Sequence, residues 1–254
     1  MYKIFIGVGV AVLLLGIYMT YPTPQLNKNW SLDQLVLPAA TFNEDETVEI
    51  SNVRNFIYSS TTEYIVQYYD VVVDLNLLNQ VDYIVEPFGS IGAAHTFVSF
   101  GFSDGKQIAI SVEIRKEVGE SFSPWRGLAQ QYELMYVVAD ERDVVNLRAN
   151  HRLHPVYIYP TTASKEQGVA LFRSMLMRAN ALASNPEFYN TLTSNCTTNI
   201  VSHINALVPD NKISWDHRLL LPEESDALAQ ELGFILPNVD IKEARKQYQV
   251  NERA

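Results

Sequence analysis

His95, Phe97, Ser99 and Gly101 alternate with Thr96, Val98, Phe100 and Phe102, and after Ser103-Asp104-Gly105 the stretch from Gln107 to Ile114 runs back. A two-residue repeat puts successive side chains on opposite faces of a strand, and Asp-Gly tolerates the positive φ values of a tight turn. Ala94 to Arg115 is therefore expected as an antiparallel hairpin. Strand-like runs also occur at Val48, Ile50, Val53, Phe56 and Tyr58, at Tyr64 to Leu75, at Leu134 to Ala139 and at Val156 to Tyr159, so the middle of the chain reads as a sheet. Helical spacing follows, first through Val169, Leu171, Phe172, Met175, Leu176 and Ala179 within Lys165 to Ala183. It returns after Cys196 at Ile200, Val201, Ile204, Leu207 and Val208. Ser194 or Asn195 suits the N-cap of that second helix and Pro209 its end. A shorter helix is expected after Pro222, with Leu228 and Leu232 in its body and Gly233 as its stop. The fold class is α+β.

The chain has 254 residues, 47% of them hydrophobic, enough for one domain core plus short extras. Nineteen Lys and Arg stand against 29 Asp and Glu, and the net charge of -10, with no compensating basic stripe, excludes a nucleic-acid binder. A single cysteine excludes an internal disulfide and a zinc site of several thiolates. Signatures for dinucleotides, nucleoside triphosphates, zinc proteases and the serine nucleophile elbow are missing, so no cofactor and no metal are expected.

Ile4 to Tyr21 is almost unbroken apolar sequence, long enough at about 1.5 Å per residue to cross most of a hydrocarbon core of about 30 Å. Bulky Ile17, Tyr18, Met19 and Tyr21, followed by Pro22 and Pro24, suit an uncleaved anchor better than a signal-peptidase site. Lys3 places the N-terminus inside and the remainder outside. The expected organisation is an anchor over 1–21, a Pro-, Asn- and acid-rich tether over 22–47, a catalytic core over 48–208 and a helical extension over 209–254.

A thiol becomes a strong nucleophile as its thiolate, which a helix N-terminus and a neighbouring imidazolium both favour. Cys196 meets the first condition, and its neighbours Thr193, Ser194, Asn195, Thr197 and Thr198 are polar. Lone cysteines are more often small buried hydrophobes, but an unpaired thiol outside the cytoplasm is an oxidation liability. His95, at the start of a strand, is the best partner of the five histidines. The alternative for it is a satisfied histidine at a strand end. Glu113, on the paired strand, is placed to orient the imidazole, against the plainer reading of a solvated face. His151 and His154 flank an arginine in a polar turn, and His203 lies about two turns along the Cys196 helix, too far to touch the thiol.

The strings Ala94-His95-Thr96-Phe97-Val98-Ser99-Phe100-Gly101-Phe102, Ile110-Ser111-Val112-Glu113-Ile114-Arg115-Lys116-Glu117 and Gln131-Tyr132-Glu133-Leu134 resemble the Lnb N-terminal periplasmic domain family. So does Phe188 to Thr198, read as Phe-Tyr-Asn-Thr-Leu-Thr-Ser-Asn-Cys-Thr-Thr. The resemblance runs from about Asn52 to the C-terminus. It implies a permuted papain-like (NlpC-type) fold, an antiparallel sheet packed on helices in which the histidine strand precedes the cysteine helix. The family's named member is similar to such thiol enzymes and moves a fatty acyl chain from phospholipid to the amino group of a lipoprotein's diacylglyceryl cysteine. By resemblance Cys196 is the acyl-enzyme site, His95 the general base and then acid, and Glu113 the orienting group. Arg54, Arg115, Tyr132 and Asn195 match family positions and are expected beside the substrate. That acyltransferase carries a further multi-helix membrane region, and no second apolar span occurs here, so thiol acyl chemistry is implied more directly than that acceptor.

The expected protein is a single-pass protein of the bacterial cytoplasmic (inner) membrane with its catalytic domain in the periplasm. It would transfer or hydrolyse acyl groups on membrane phospholipid or a lipoprotein, with a membrane protein as a further partner. A peptidase or amidase acting on peptidoglycan, and a non-catalytic envelope module binding lipid or peptide, are the alternatives.

Overall fold

The computed structural model describes residues 22–89, 92–208, 210, 212–235 and 239–251. The expected anchor over 1–21 and the Pro209 helix stop lie outside them. Among the described residues no helix is long and apolar enough to cross a membrane.

The strands are β1 (Ala39–Phe42), β2 (Thr47–Arg54), β3 (Ile57–Tyr58), β4 (Tyr64–Ile65), β5 (Tyr68–Asp74), β6 (Leu78–Pro87), β7 (Ala94–Phe102), β8 (Gln107–Arg115), β9 (Glu133–Asp140) and β10 (Tyr157–Pro160). The helices are α1 (Pro124–Leu128), α2 (Glu141–Asn146), α3 (Lys165–Ser184), α4 (Cys196–Leu207), α5 (Ser225–Glu231) and α6 (Ile241–Tyr248). One sheet runs β1-β2-β9-β8-β7-β6-β10, with β5 along β2. Its pairs are antiparallel except β2 with β9, which meet in parallel at Arg54 and Ala139. The architecture is α+β with a sheet dominated by antiparallel pairs.

The expected hairpin is β7 and β8, closed by Gly105 at φ +91°, a value that requires glycine. Its pleat separates two layers. Val98, Phe100, Ile110 and Val112 face α3 and α4, where they pack with Phe172, Met175, Leu176 and Ile200. Phe97 and Ala109 face the other way, onto Val144 and Ala149. Fully burying side chains of this size is worth about 1.5–3 kcal/mol each, so α3, with five large apolar residues inward, is the main cover of its face. Gly168 lets α3 approach the sheet, since a Cβ there would lie 2.8 Å from Val81 and 2.9 Å from Leu78.

Residues 22–47, read above as a tether, are instead held on the domain over much of their length. Trp30 is buried under the Arg115 guanidinium, 4.3 Å from its ring centroid, and β1 pairs with β2. Isolated Trp30 and the short run at Ala39 give no periodicity to read. α6 lies within the helical extension expected over 209–254, and in its charged stretch only Ala244 is fully buried.

Candidate active site

Cys196 is the first residue of α4, and Asn195 is its N-cap. The Asn195 side chain accepts from Thr198 N at 2.8 Å while Thr198 Oγ1 accepts from Asn195 N at 2.8 Å, a reciprocal capping box. The helix end therefore presents the sulfur at a positive dipole terminus.

The β7–β8 ladder stops at Phe97 opposite Ser111, although both strands continue past that pair. At this splayed end the N-terminus of α4 meets β7, with Thr96 Oγ1 3.0 Å from Thr197 Oγ1. Cys196 Sγ lies 3.8 Å from Thr197 Oγ1, and Cys196 lines one cavity together with His95 and Glu113. His95 and Glu113, from neighbouring strands, approach to 3.5 Å between Nε2 and Oε1. The three residues singled out from the sequence as catalytic thus come together.

Ser111, which sequence reasoning missed, lies between the last two. His95 Nε2 is 2.7 Å from Ser111 Oγ, and Ser111 Oγ donates to Glu113 Oε1 at 2.9 Å. A carboxylate only accepts, so the serine proton points to Glu113 and the serine oxygen accepts from His95 Nε2–H. Nδ1 is then the ring nitrogen that Ser111 does not engage. Ser111 shares a strand face with Glu113 two residues on, and that period was the available signal.

Arg148 was missed as well. Its Nη2 donates to Glu113 Oε1 at 2.9 Å, and its Nε lies 2.6 Å from Glu86 Oε2 as an ion pair rather than an aligned hydrogen bond. Glu86 is fully buried and also takes His154 Nδ1 at 2.8 Å.

The charges follow from this arrangement. Burial resists ionisation of Glu113, but His95, Arg148 and Arg54 hold its carboxyl well below the usual range. Burial likewise opposes charge on His95, yet Glu113 and the Cys196 interaction raise it to about 9. Burial pushes the Cys196 thiol up, and His95 together with the Thr96 backbone and hydroxyl more than offset that, bringing it to about 7. The two values belong to the coupled pair. Between them the favoured state is thiolate beside imidazolium.

The cavity at the thiol holds about 190 Å³ and is lined by His95, Glu113, Cys196, Phe122, Tyr189 and Arg152 among others. Arg54, Arg115, Tyr132 and Asn195, expected beside the substrate, do not line it. Arg54 is bidentate to buried Asp143 at 2.8 and 3.2 Å. Arg115 donates to the carbonyls of Gln34 and Leu35, and the Tyr132 hydroxyl donates to Ser121 O. Asn195, besides capping α4, donates to Thr191 O and Leu219 O. Their roles are internal. His203 is satisfied by Tyr136 and Ser174.

No curated protein and no solved structure matches the chain significantly. A family model described as the Lnb N-terminal periplasmic domain matches residues 64–223. That interval is more than half of the sequence and contains His95, Ser111, Glu113, Arg148 and Cys196. The chain belongs to the Lnb N-terminal periplasmic domain family.

Proposed function

We propose that this protein is a thiol enzyme of the bacterial envelope, permuted papain-like in its site, that forms an acyl-enzyme on Cys196 and passes the acyl group to an amine or to water. The observation that carries the reading is the hydrogen-bonded series Glu113–Ser111–His95 sharing one cavity with a thiol on a helix N-terminus. Cys196 thiolate attacks the carbonyl carbon of a lipid ester. The C–S bond forms, the C–O bond breaks, and the departing oxygen takes the proton from His95 Nδ1. The acceptor then gives a proton to Nδ1 and attacks the thioester. The C–S bond breaks and thiolate returns. Glu113, kept charged, stabilises the imidazolium and through Ser111 keeps Nε2 protonated.

An acyl substrate is favoured over a peptidoglycan peptide by a second cavity of about 320 Å³ beside α4. It is lined by Thr197, the residue after the nucleophile, and by Ile200, Ile204, Leu207 and Leu228. A mainly apolar cavity fits an alkyl chain and offers little to a charged stem peptide.

Intact mass spectrometry of the protein incubated with phospholipid vesicles tests this. A thiol-linked fatty acyl mass is expected on the wild type and on neither Cys196→Ser nor His95→Ala. An adduct of equal yield on Cys196→Ser would refute the reading.

A further inference from the structure

The loop between β8 and β9 is pinned from within and apolar without. Tyr132, buried, donates its hydroxyl to Ser121 O at 2.6 Å and accepts from Ser123 N at 3.0 Å. Thr191 Oγ1 donates to Pro124 O at 2.8 Å, tying α1 to the segment that leads into Cys196. Yet from this fixed loop Val118 is 61% exposed, Phe122 43%, Trp125 79% and Leu128 41%. Single exposed apolar residues such as Met177 are ordinary. Four within one pinned loop are not, and Phe122 also lines the Cys196 cavity.

The sequence before the loop's neighbour supplies the occupant. Gln25 N donates to Glu133 Oε1 at 3.0 Å, Lys28 Nζ lies 3.4 Å from Glu117 Oε1, and Val118 N donates to Asn29 O at 2.8 Å. The chain therefore joins the fold alongside this loop. Tyr21, the end of the apolar run, is four residues before Gln25, and four extended residues reach at most about 14 Å. An apolar run serving as the anchor expected from the sequence would bring the bilayer to within about 14 Å of Gln25, which is held beside this loop through Glu133. The local ionic groups are paired, Lys28 with Glu117 and Glu133, and Arg126 with Glu120, so apolar contact rather than attraction to anionic lipid is what the surface offers.

We propose that the Val118–Leu128 loop is a membrane-docking surface that seats the mouth of the Cys196 cavity on a lipid bilayer. A tryptophan as exposed as Trp125 favours the interface between headgroups and acyl chains. Substrate then arrives laterally from the membrane.

The full chain, reconstituted in phosphatidylcholine vesicles with and without acyl-brominated phosphatidylcholine, provides the test. Bromine should quench part of the tryptophan emission of the wild type, and most of that quenching should be lost in Trp125→Phe. Trp30 and Trp215 are common to both proteins. Val118→Glu with Leu128→Glu, both at exposed positions, should also abolish the Trp125 component with the circular dichroism unchanged. Quenching that is the same in wild type and Trp125→Phe overturns the proposal, including the case in which the loop packs on another protein. Alkaline extraction of the same vesicles reports separately on the anchor, and a washed-off chain without Trp125 quenching also overturns it. Cys196→Ala should quench as the wild type does, so failure of the thiol chemistry leaves this result distinct.

Discussion

His95 Nε2, Glu113 Oε1 and Ser111 Oγ form a triangle, with the serine oxygen 2.7 Å from the nitrogen and 2.9 Å from the carboxylate oxygen, and those two 3.5 Å from each other. Ser111 is thus a positioning residue. Ser111→Ala should leave His95 free to turn and lower its pKa, with acylation of Cys196 falling on the order of 10–100-fold, as for other groups that orient a ligand or base from behind. Ser111→Thr, which keeps the hydroxyl, should recover most of the rate. Single-turnover acylation measured across pH distinguishes this from loss of fold.

The two members of the pair contribute to stability with opposite pH dependence. His95, raised from 6.5 to about 9, contributes stability that is full below pH 6.5 and lost as pH rises through about 9. Cys196, lowered from 9.0 to about 7, contributes stability present above pH 9.0 and lost as pH falls through about 7. The two slopes oppose each other between about 7 and about 9, since folding there moves a proton from sulfur to imidazole without net release. The melting temperature should therefore owe little pH dependence to this pair in that window. Alkylation by iodoacetamide should instead rise with an apparent pKa of about 7, and in His95→Ala the midpoint should move upward, because burial is then opposed only by the smaller Thr96 contributions.

Arg148 bridges Glu113 and Glu86, and its guanidinium lies 5.0 Å over the Phe97 ring. Arg148→Met leaves two carboxylates short of a partner in the interior and should cost about 3–5 kcal/mol. Arg148→Lys keeps the charge but not the fork and should restore only part of it. Urea unfolding measures both.

Much of this was legible from local pattern. Alternation with Asp-Gly located β7 and β8, helical spacing located α3 and α4, and a polar neighbourhood marked Cys196 at a helix start. What the pattern could not supply were partners set by register and packing. Ser111 reads as one more small residue on a strand until Glu113 is seen on the same face. Arg148, 35 residues from Glu113, reads as solvated. Arg54, Arg115, Tyr132 and Asn195 matched family positions, which do not distinguish a residue that touches substrate from one that holds the frame.

Arg54 tests that distinction. Its guanidinium is buried against Asp143, which also accepts from Phe56 N at 2.6 Å and Tyr58 Oη at 3.1 Å. Arg54→Ala leaves Asp143 charged in the interior with two neutral donors, a change expected to cost about 3–5 kcal/mol in urea unfolding. The cavity at Cys196 does not include Arg54. Iodoacetamide alkylation per folded molecule, measured below the unfolding midpoint, should thus stay within about two-fold of wild type, under 1 kcal/mol in activation free energy. Glu113→Gln should do the reverse, keeping the fold while the apparent thiol pKa rises, because the charge that holds His95 protonated is gone. A large loss of alkylation in folded Arg54→Ala would instead return that arginine to the site, acting on Glu113 through the field it shares with Arg148.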